Sequence, residues 1–174
     1  MPKTNGAKRA YGCVFCVTGK EQVVAQHMEQ TGDDIRAIVA RQSKRKTVQG
    51  KTNVEEAVLF PGYVFFDAPE DTEITQKFSN RNVLSILTSE TGDWRLYGGD
   101  AEVVQWLFSY NGLLTLSEAY QEGDRIRIIA GPLKGLEGQI IRIVKRDRSA
   151  QVAIPFCNRV SKVWLGFEIV EKNQ

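Results

Sequence analysis

Cys13 and Cys16 are the first residues whose types and spacing could do chemistry. A C-x-x-C pair can cycle a disulfide or hold a metal, but only where both sulfurs converge. The run Tyr11–Val17 is apolar, aromatic and β-branched, so it reads as a buried strand. On a strand, residues i and i+3 face opposite ways. Redox pairs instead sit at a helix N-terminus, where the dipole lowers the thiol pKa. Cys16 lies near a predicted helix but inside the strand run. There is no second C-x-x-C, Cys157 stands alone, and His27 is the single histidine. Gly19-Lys20 lacks the upstream glycine of a phosphate loop. The segment 131–138, GPLKGLEG, is glycine-rich but leads into a strand, whereas a phosphate cradle opens a helix. The expectation is a non-enzyme with structural cysteines, no metal site and no cofactor. The competing reading is a thiol oxidoreductase using Cys13 and Cys16.

Cations are the other chemical resource. The net charge of +2 hides an asymmetry. Residues 1–120 hold 13 Lys+Arg against 15 Asp+Glu, a net of −2, and residues 121–174 hold 10 against 6, a net of +4. A basic C-terminal unit behind a slightly acidic one suggests nucleic-acid contact. Arg41, Lys44, Arg45, Lys46 and Lys51 crowd a polar segment without a hydrophobic period, read as an exposed hairpin loop over 41–53. With 42% hydrophobic and 25% charged residues, the chain has the balance of a soluble globular protein. No apolar run is long enough to span a membrane, and a cytoplasmic, reducing home is expected. The basic N-terminus lacks a following apolar core, so residues 1–10 read as a tail.

The elements that must position these residues fall into two textures. Residues 11–110 mix strands and helices. Helices are expected over 20–30, capped by Thr18 with Glu21 in capping-box spacing and ended by Gly32, then over 71–78 and 100–110. Strands are expected at 11–17, 35–40, 55–60, 62–66 and 83–87. Residues 111–122 read as a linker. After Gly123 short strands recur about every ten residues with turn residues between, as in a small barrel. Ile126 and Ile128 should face its core and Arg125 and Arg127 solvent. Leu133 and Leu136 should be left at a loop tip. The fold class is α+β: an N-terminal α/β sandwich, an antiparallel sheet flanked by helices, and a small C-terminal SH3-like β-barrel.

The aromatic run Phe60-Pro61-Gly62-Tyr63-Val64-Phe65-Phe66 has apolar residues on both strand faces. One face meets a core. The other either does too or forms an exposed patch for a partner.

GDRIRIIAGPLKGLEGQIIRIVKRDRSAQVAI (123–154) resembles the KOW motif, and FCVTGKEQVVAQHM (15–28) followed by LFPGYVFFD (59–67) resembles the NGN domain. In this order they resemble the NusG family of transcription elongation factors, over about residues 10–172. The stretch KRDRSAQVAIPFCNRVSKVWLGFEIVEK (145–172) is most similar to the specialised LoaP branch, operon-specific processive antiterminators that engage an RNA hairpin. The resemblance implies an NGN domain at 11–110 that binds RNA polymerase and a KOW domain at 123–172. By position, Tyr11, Phe60, Pro61, Tyr63 and Phe65 match a pocket that grips the polymerase clamp helices, with Tyr11 where relatives usually carry Trp. Leu136 stands where housekeeping relatives use Phe against a ribosomal protein, which puts ribosome coupling in doubt. Residues 73–76, EITQ, do not match the threonine-rich gate-loop contact of some relatives.

Lys134, Arg142, Lys145, Arg146, Arg148, Arg159 and Lys162 are the cationic candidates for an RNA backbone. Phe156, Asn158 and Trp164 could read unpaired bases, although Trp164 reads better as a core aromatic. The basic loop would touch upstream DNA or RNA phosphates. The expected partners are RNA polymerase, a nascent RNA hairpin and upstream DNA, without a membrane, for a monomer. The alternative is a general elongation factor coupling polymerase to the ribosome or a termination factor.

Overall fold

The computed structural model describes residues 6–31, 34–74 and 78–171. The chain divides into two compact units. One comprises residues 1–40 and 60–112, the other 41–59 and 113–174.

The first unit is a four-stranded antiparallel sheet with two helices. Its strands are β1 (Arg9–Cys16), β2 (Arg36–Ile38), β5 (Tyr63–Pro69) and β6 (Val83–Ile86), in the order β2-β5-β1-β6. The central strands β1 and β5 bury Cys13, Val14, Val64, Phe65 and Phe66, as apolar runs in the middle of a sheet should. Helix α1 (Glu21–Glu29) buries Val24, Ala25 and Met28, and α2 (Gly98–Ser109) buries Val104 and Leu107. Helical spacing of apolar residues predicted both. Gly12 is where Phe66 crosses β1, since a Cβ there would lie 2.2 Å from the Phe66 ring. Phe66 in turn packs on Phe78 and Trp94.

Three local expectations need correction here. Thr18 is not the cap of α1; Lys20 is, and no side chain closes that end. Glu21 instead accepts the Gly19 N–H at 3.0 Å. The helix expected over 71–78 does not form at 71–74, which are turn and irregular chain, while 75–77 and Gly32 lie outside the described residues. Among the described residues the unit carries two helices where three were expected.

The second unit is all β apart from one 3-10 turn. Strands β3 (Arg41–Val48) and β4 (Lys51–Val58) form a regular hairpin, joined by Gln49 and Gly50, both at positive φ as a tight two-residue turn demands. The segment expected as a loop is therefore itself the paired strand. A short β7 (Leu113–Leu114) runs parallel to β3. A second sheet contains β8 (Ser117–Glu122), β9 (Arg125–Ala130), β10 (Ile140–Val144), β11 (Ser149–Phe156) and β12 (Arg159–Ile169), in the order β10-β11-β12-β8-β9. Residues 117–122, expected within the linker, thus form a strand between β9 and β12. Its hydroxyl-bearing Ser117 is fully buried and accepts the Leu133 N–H at 2.9 Å. Leu133 is consequently core and not a loop tip, whereas Leu136 is half-buried. Ile128 is buried and Arg125 and Arg127 are exposed, as alternation predicted.

Candidate protein and nucleic-acid interfaces

In the first unit the register sets Phe15 opposite Tyr63, Cys13 opposite Phe65 and Tyr11 opposite Asp67. Directly opposed residues share a sheet face, so these six line one side. Phe15 meets Tyr63 edge-on at 5.0 Å, Tyr63 stacks on Phe65 at 6.2 Å, and Phe60 meets Phe65 edge-on at 5.8 Å. The ladder is layered. Phe60 and Phe65 are 7% and 1% exposed and form its floor, while Phe15 and Tyr63 are half-buried and Pro61 is exposed.

The two ends of this face differ. At the β1 start, Tyr11 packs on Phe108 of α2 at 5.5 Å, and Arg36 lies over the same ring at 5.6 Å. Asp67 is buried and takes ion pairs from both Arg9 and Arg36. The helix occupies that end. At the other end the Pro61-Gly62 turn is tied down. The Gly62 N–H donates to the Glu21 carboxylate at 2.8 Å, and Gly62 sits at φ 82 with the Cys16 carbonyl 3.2 Å from where a Cβ would stand. The structure therefore separates the five expected contact residues. Tyr63 and Pro61 present surface, Tyr11 is shared with α2, and Phe60 and Phe65 support from beneath. Phe15 joins them and was missed; its i+4 spacing from Tyr11 on one strand was the available signal.

Both C-x-x-C cysteines are buried and in no disulfide, and burial, with the Glu21 charge second, raises the Cys16 pKa. A raised thiol pKa is the reverse of what a nucleophilic redox cysteine needs.

In the second unit the cationic candidates separate into groups. Arg45 of β3, with Arg146 and Arg148 of the β10–β11 turn, lines one recess together with Thr47, Thr52 and Asp147. Arg41 shares the Arg45 face of the hairpin, whereas Lys44, Lys46 and Lys51 lie on the opposite face by register. Lys46 pairs with Glu55 at 3.4 Å. Lys134 pairs with Glu137 at 3.5 Å beside a cleft lined by Ile126, Ile128, Ile140 and Ile143. Lys145 donates to the Asp124 carbonyl.

Arg142, Gln151 and Trp164 form one row across β10, β11 and β12, with Lys162 two residues from Trp164 on the same face. Its neighbours Val163 and Leu165 are buried while Trp164 is half-buried, so it belongs to the outer face and not to the core. Phe156 is buried, which removes it as a stacking residue. Asn158 and Arg159 are exposed at the β11–β12 turn, where Cys157 and Asn158 both take positive φ.

Residues 10–96, half of the chain, match the family described as transcription termination factor nusG, and residues 122–160 match the KOW motif. Two proteins named transcription termination/antitermination protein NusG are similar. That of Borreliella burgdorferi is 26% identical over 134 residues, covering 71% of this chain and 72% of its own length. That of Thermus thermophilus is 26% identical over 132 residues, with the same coverage. A solved structure titled "Domain interaction in Thermotoga maritima NusG" has a similar fold, with TM-score 0.53 and 19% identity over 91% of this chain and 94% of that one.

Proposed function

Since the chain belongs to the NusG family of transcription termination and antitermination factors, we propose that it regulates elongation by binding RNA polymerase through the first unit and nucleic acid through the second. The observation that carries this is the layered aromatic face. Phe15 and Tyr63 stand half-open over a buried Phe60–Phe65 floor, beside a turn fixed by Glu21. A helical protein partner laid on such a face would find rigid aromatic anchors with their rotamers already set. The partner we assign is the pair of polymerase clamp helices. Holding them would favour the closed, unpaused enzyme without any bond chemistry.

The second unit supplies the specificity. The five strands of its larger sheet are the set an SH3-like barrel would use, and the unit's exposed arginines would grip an RNA backbone. Unpaired bases of a nascent hairpin would meet the Arg142–Trp164–Lys162 face. This is the behaviour of the LoaP branch, an operon-specific antiterminator. Transcription with purified polymerase tests it: the protein should raise read-through of terminators placed downstream of its own operon's leader. Unchanged read-through on that template would contradict the specialised reading.

The names of the curated relatives favour a second reading, a general elongation factor. Occupancy across the genome separates the two. A general factor is found on most transcription units and a specialised one on a few long operons.

A further inference from the structure

The recess between the β3–β4 hairpin and the β10–β11 turn has features that a merely solvated surface does not need. Arg148 stands at φ 48, a conformation that a side chain other than glycine tolerates only when its surroundings hold it there. Its N–H donates to the Lys145 carbonyl at 3.2 Å and its carbonyl accepts the Phe167 N–H at 2.9 Å, so its backbone is pinned at both ends. Arg148 as a residue is half-buried, and its guanidinium has no hydrogen-bond or ion-pair partner among the described residues. Across the recess, Arg45 is half-buried and only loosely paired, 3.8 Å from Glu168. Arg146 is almost fully exposed and reaches Asp147 at 3.6 Å. Between these cations the Thr47 and Thr52 hydroxyls lie 2.9 Å apart on the same hairpin face.

Three arginines and two hydroxyls thus line the recess from two separate chain segments, with Asp147 the one carboxylate in the lining and Glu168 beside Arg45. Guanidinium forks beside a hydroxyl that can still donate suit a tetrahedral oxyanion, and phosphate above others, because each Arg can bond two of its oxygens. We propose that this recess seats a backbone phosphate of the bound RNA, clamped between the hairpin and the β10–β11 turn. The proposal rests on the RNA-binding reading above and adds that the hairpin belongs to the RNA site. A fragment beginning near residue 120 would lack Arg45, Thr47 and Thr52, one whole wall of it.

The test uses the full chain and a labelled RNA hairpin transcribed from its own operon's leader, titrated over a series of salt concentrations. R45Q and R148Q should each weaken binding about tenfold at low salt. Each should also lower the slope of log affinity against log salt by about 0.7 to 0.9, the change expected when one phosphate is no longer neutralised. The double variant should weaken binding by less than the product of the two, because one phosphate is shared. D147N should bind more tightly, a gain that misfolding cannot imitate. R81Q, which removes one exposed cation from the other unit, sets the effect of reduced charge alone. If R45Q and R148Q behave like R81Q while the unaltered chain binds the hairpin, the recess is overturned and RNA binding stands. If the unaltered chain does not bind the hairpin, both fall together.

Discussion

The Glu21 carboxylate accepts the Gly62 N–H at 2.8 Å, joining residues 41 apart in sequence. It is 4% exposed, and it also takes the Gly19 N–H at 3.0 and 3.1 Å. One buried acidic side chain thereby sets the start of α1 against the turn that carries Pro61 and Tyr63. Replacing it with Ala leaves a buried Gly62 donor unsatisfied, which costs about 1–3 kcal/mol. E21A should lower the denaturation midpoint by that amount and weaken polymerase binding. The isosteric E21Q, which keeps an acceptor oxygen, should restore most of both.

Gly12 admits the Phe66 ring against the β1 backbone, with a Cβ position 2.2 Å from Cζ and 2.7 and 2.8 Å from the flanking ring carbons. Phe66 is fully buried against Phe78 and Trp94 and has nowhere to retreat. G12A should therefore destabilise the chain by about 1–3 kcal/mol, the cost of an overpacked core, read in urea unfolding. Equal stability would mean that the ring is not held there.

Thiol reactivity separates the three cysteines. Cys13 and Cys16 are buried, and Cys16 has its pKa raised by burial and then by Glu21. Cys157, half-buried at a turn, should alkylate first with iodoacetamide in the native protein. Cys13 and Cys16 should label only on unfolding. Fast native labelling of Cys16 would revive the redox reading, and mass spectrometry of the labelled peptides decides.

Asp93 is held down to about 2 from an ordinary 3.8, first by the hydrogen bond from the Arg95 side chain, then by the Arg95 backbone N–H and the Tyr97 hydroxyl. A carboxyl whose folded pKa is depressed stabilises the fold above its unfolded value, and this contribution disappears as pH falls from 3.8 toward 2. An NMR titration of the Asp93 carboxyl should have its midpoint near 2, and R95A should move it back toward 3.8.

What the sequence conceals follows from where burial falls. Strands β1 and β5 and both helices were legible because apolar residues recur at the period of the element that buries them. Strand β3 and the first half of β4 were not, since residues 51–56 are all exposed and the pairing is held by backbone hydrogen bonds with no alternating core face; only 55–58 of the hairpin fell in an expected strand. Strand β8 buries only the small residues Ser117 and Ala119, too little apolar mass to signal a strand between two others. At the aromatic face, the residue types pointed to the right strand. Only folding showed Phe60 and Phe65 buried as the floor, and only the register set the half-buried Phe15 opposite Tyr63. Likewise, clustered arginines were visible in KRDR (145–148), but their convergence with Arg45 depends on chain folding across about a hundred residues.

In the function proposed above, the half-buried Tyr63 and Phe15 are the anchors by which the first unit grips polymerase. The most direct test is the affinity of the Y63A and F15A variants for core RNA polymerase, with hairpin RNA affinity measured on the same samples. Each variant should lose about 2 kcal/mol or more of polymerase binding, over tenfold, as a buried aromatic hot spot does, and keep its RNA affinity. Unchanged polymerase binding in both variants would contradict it.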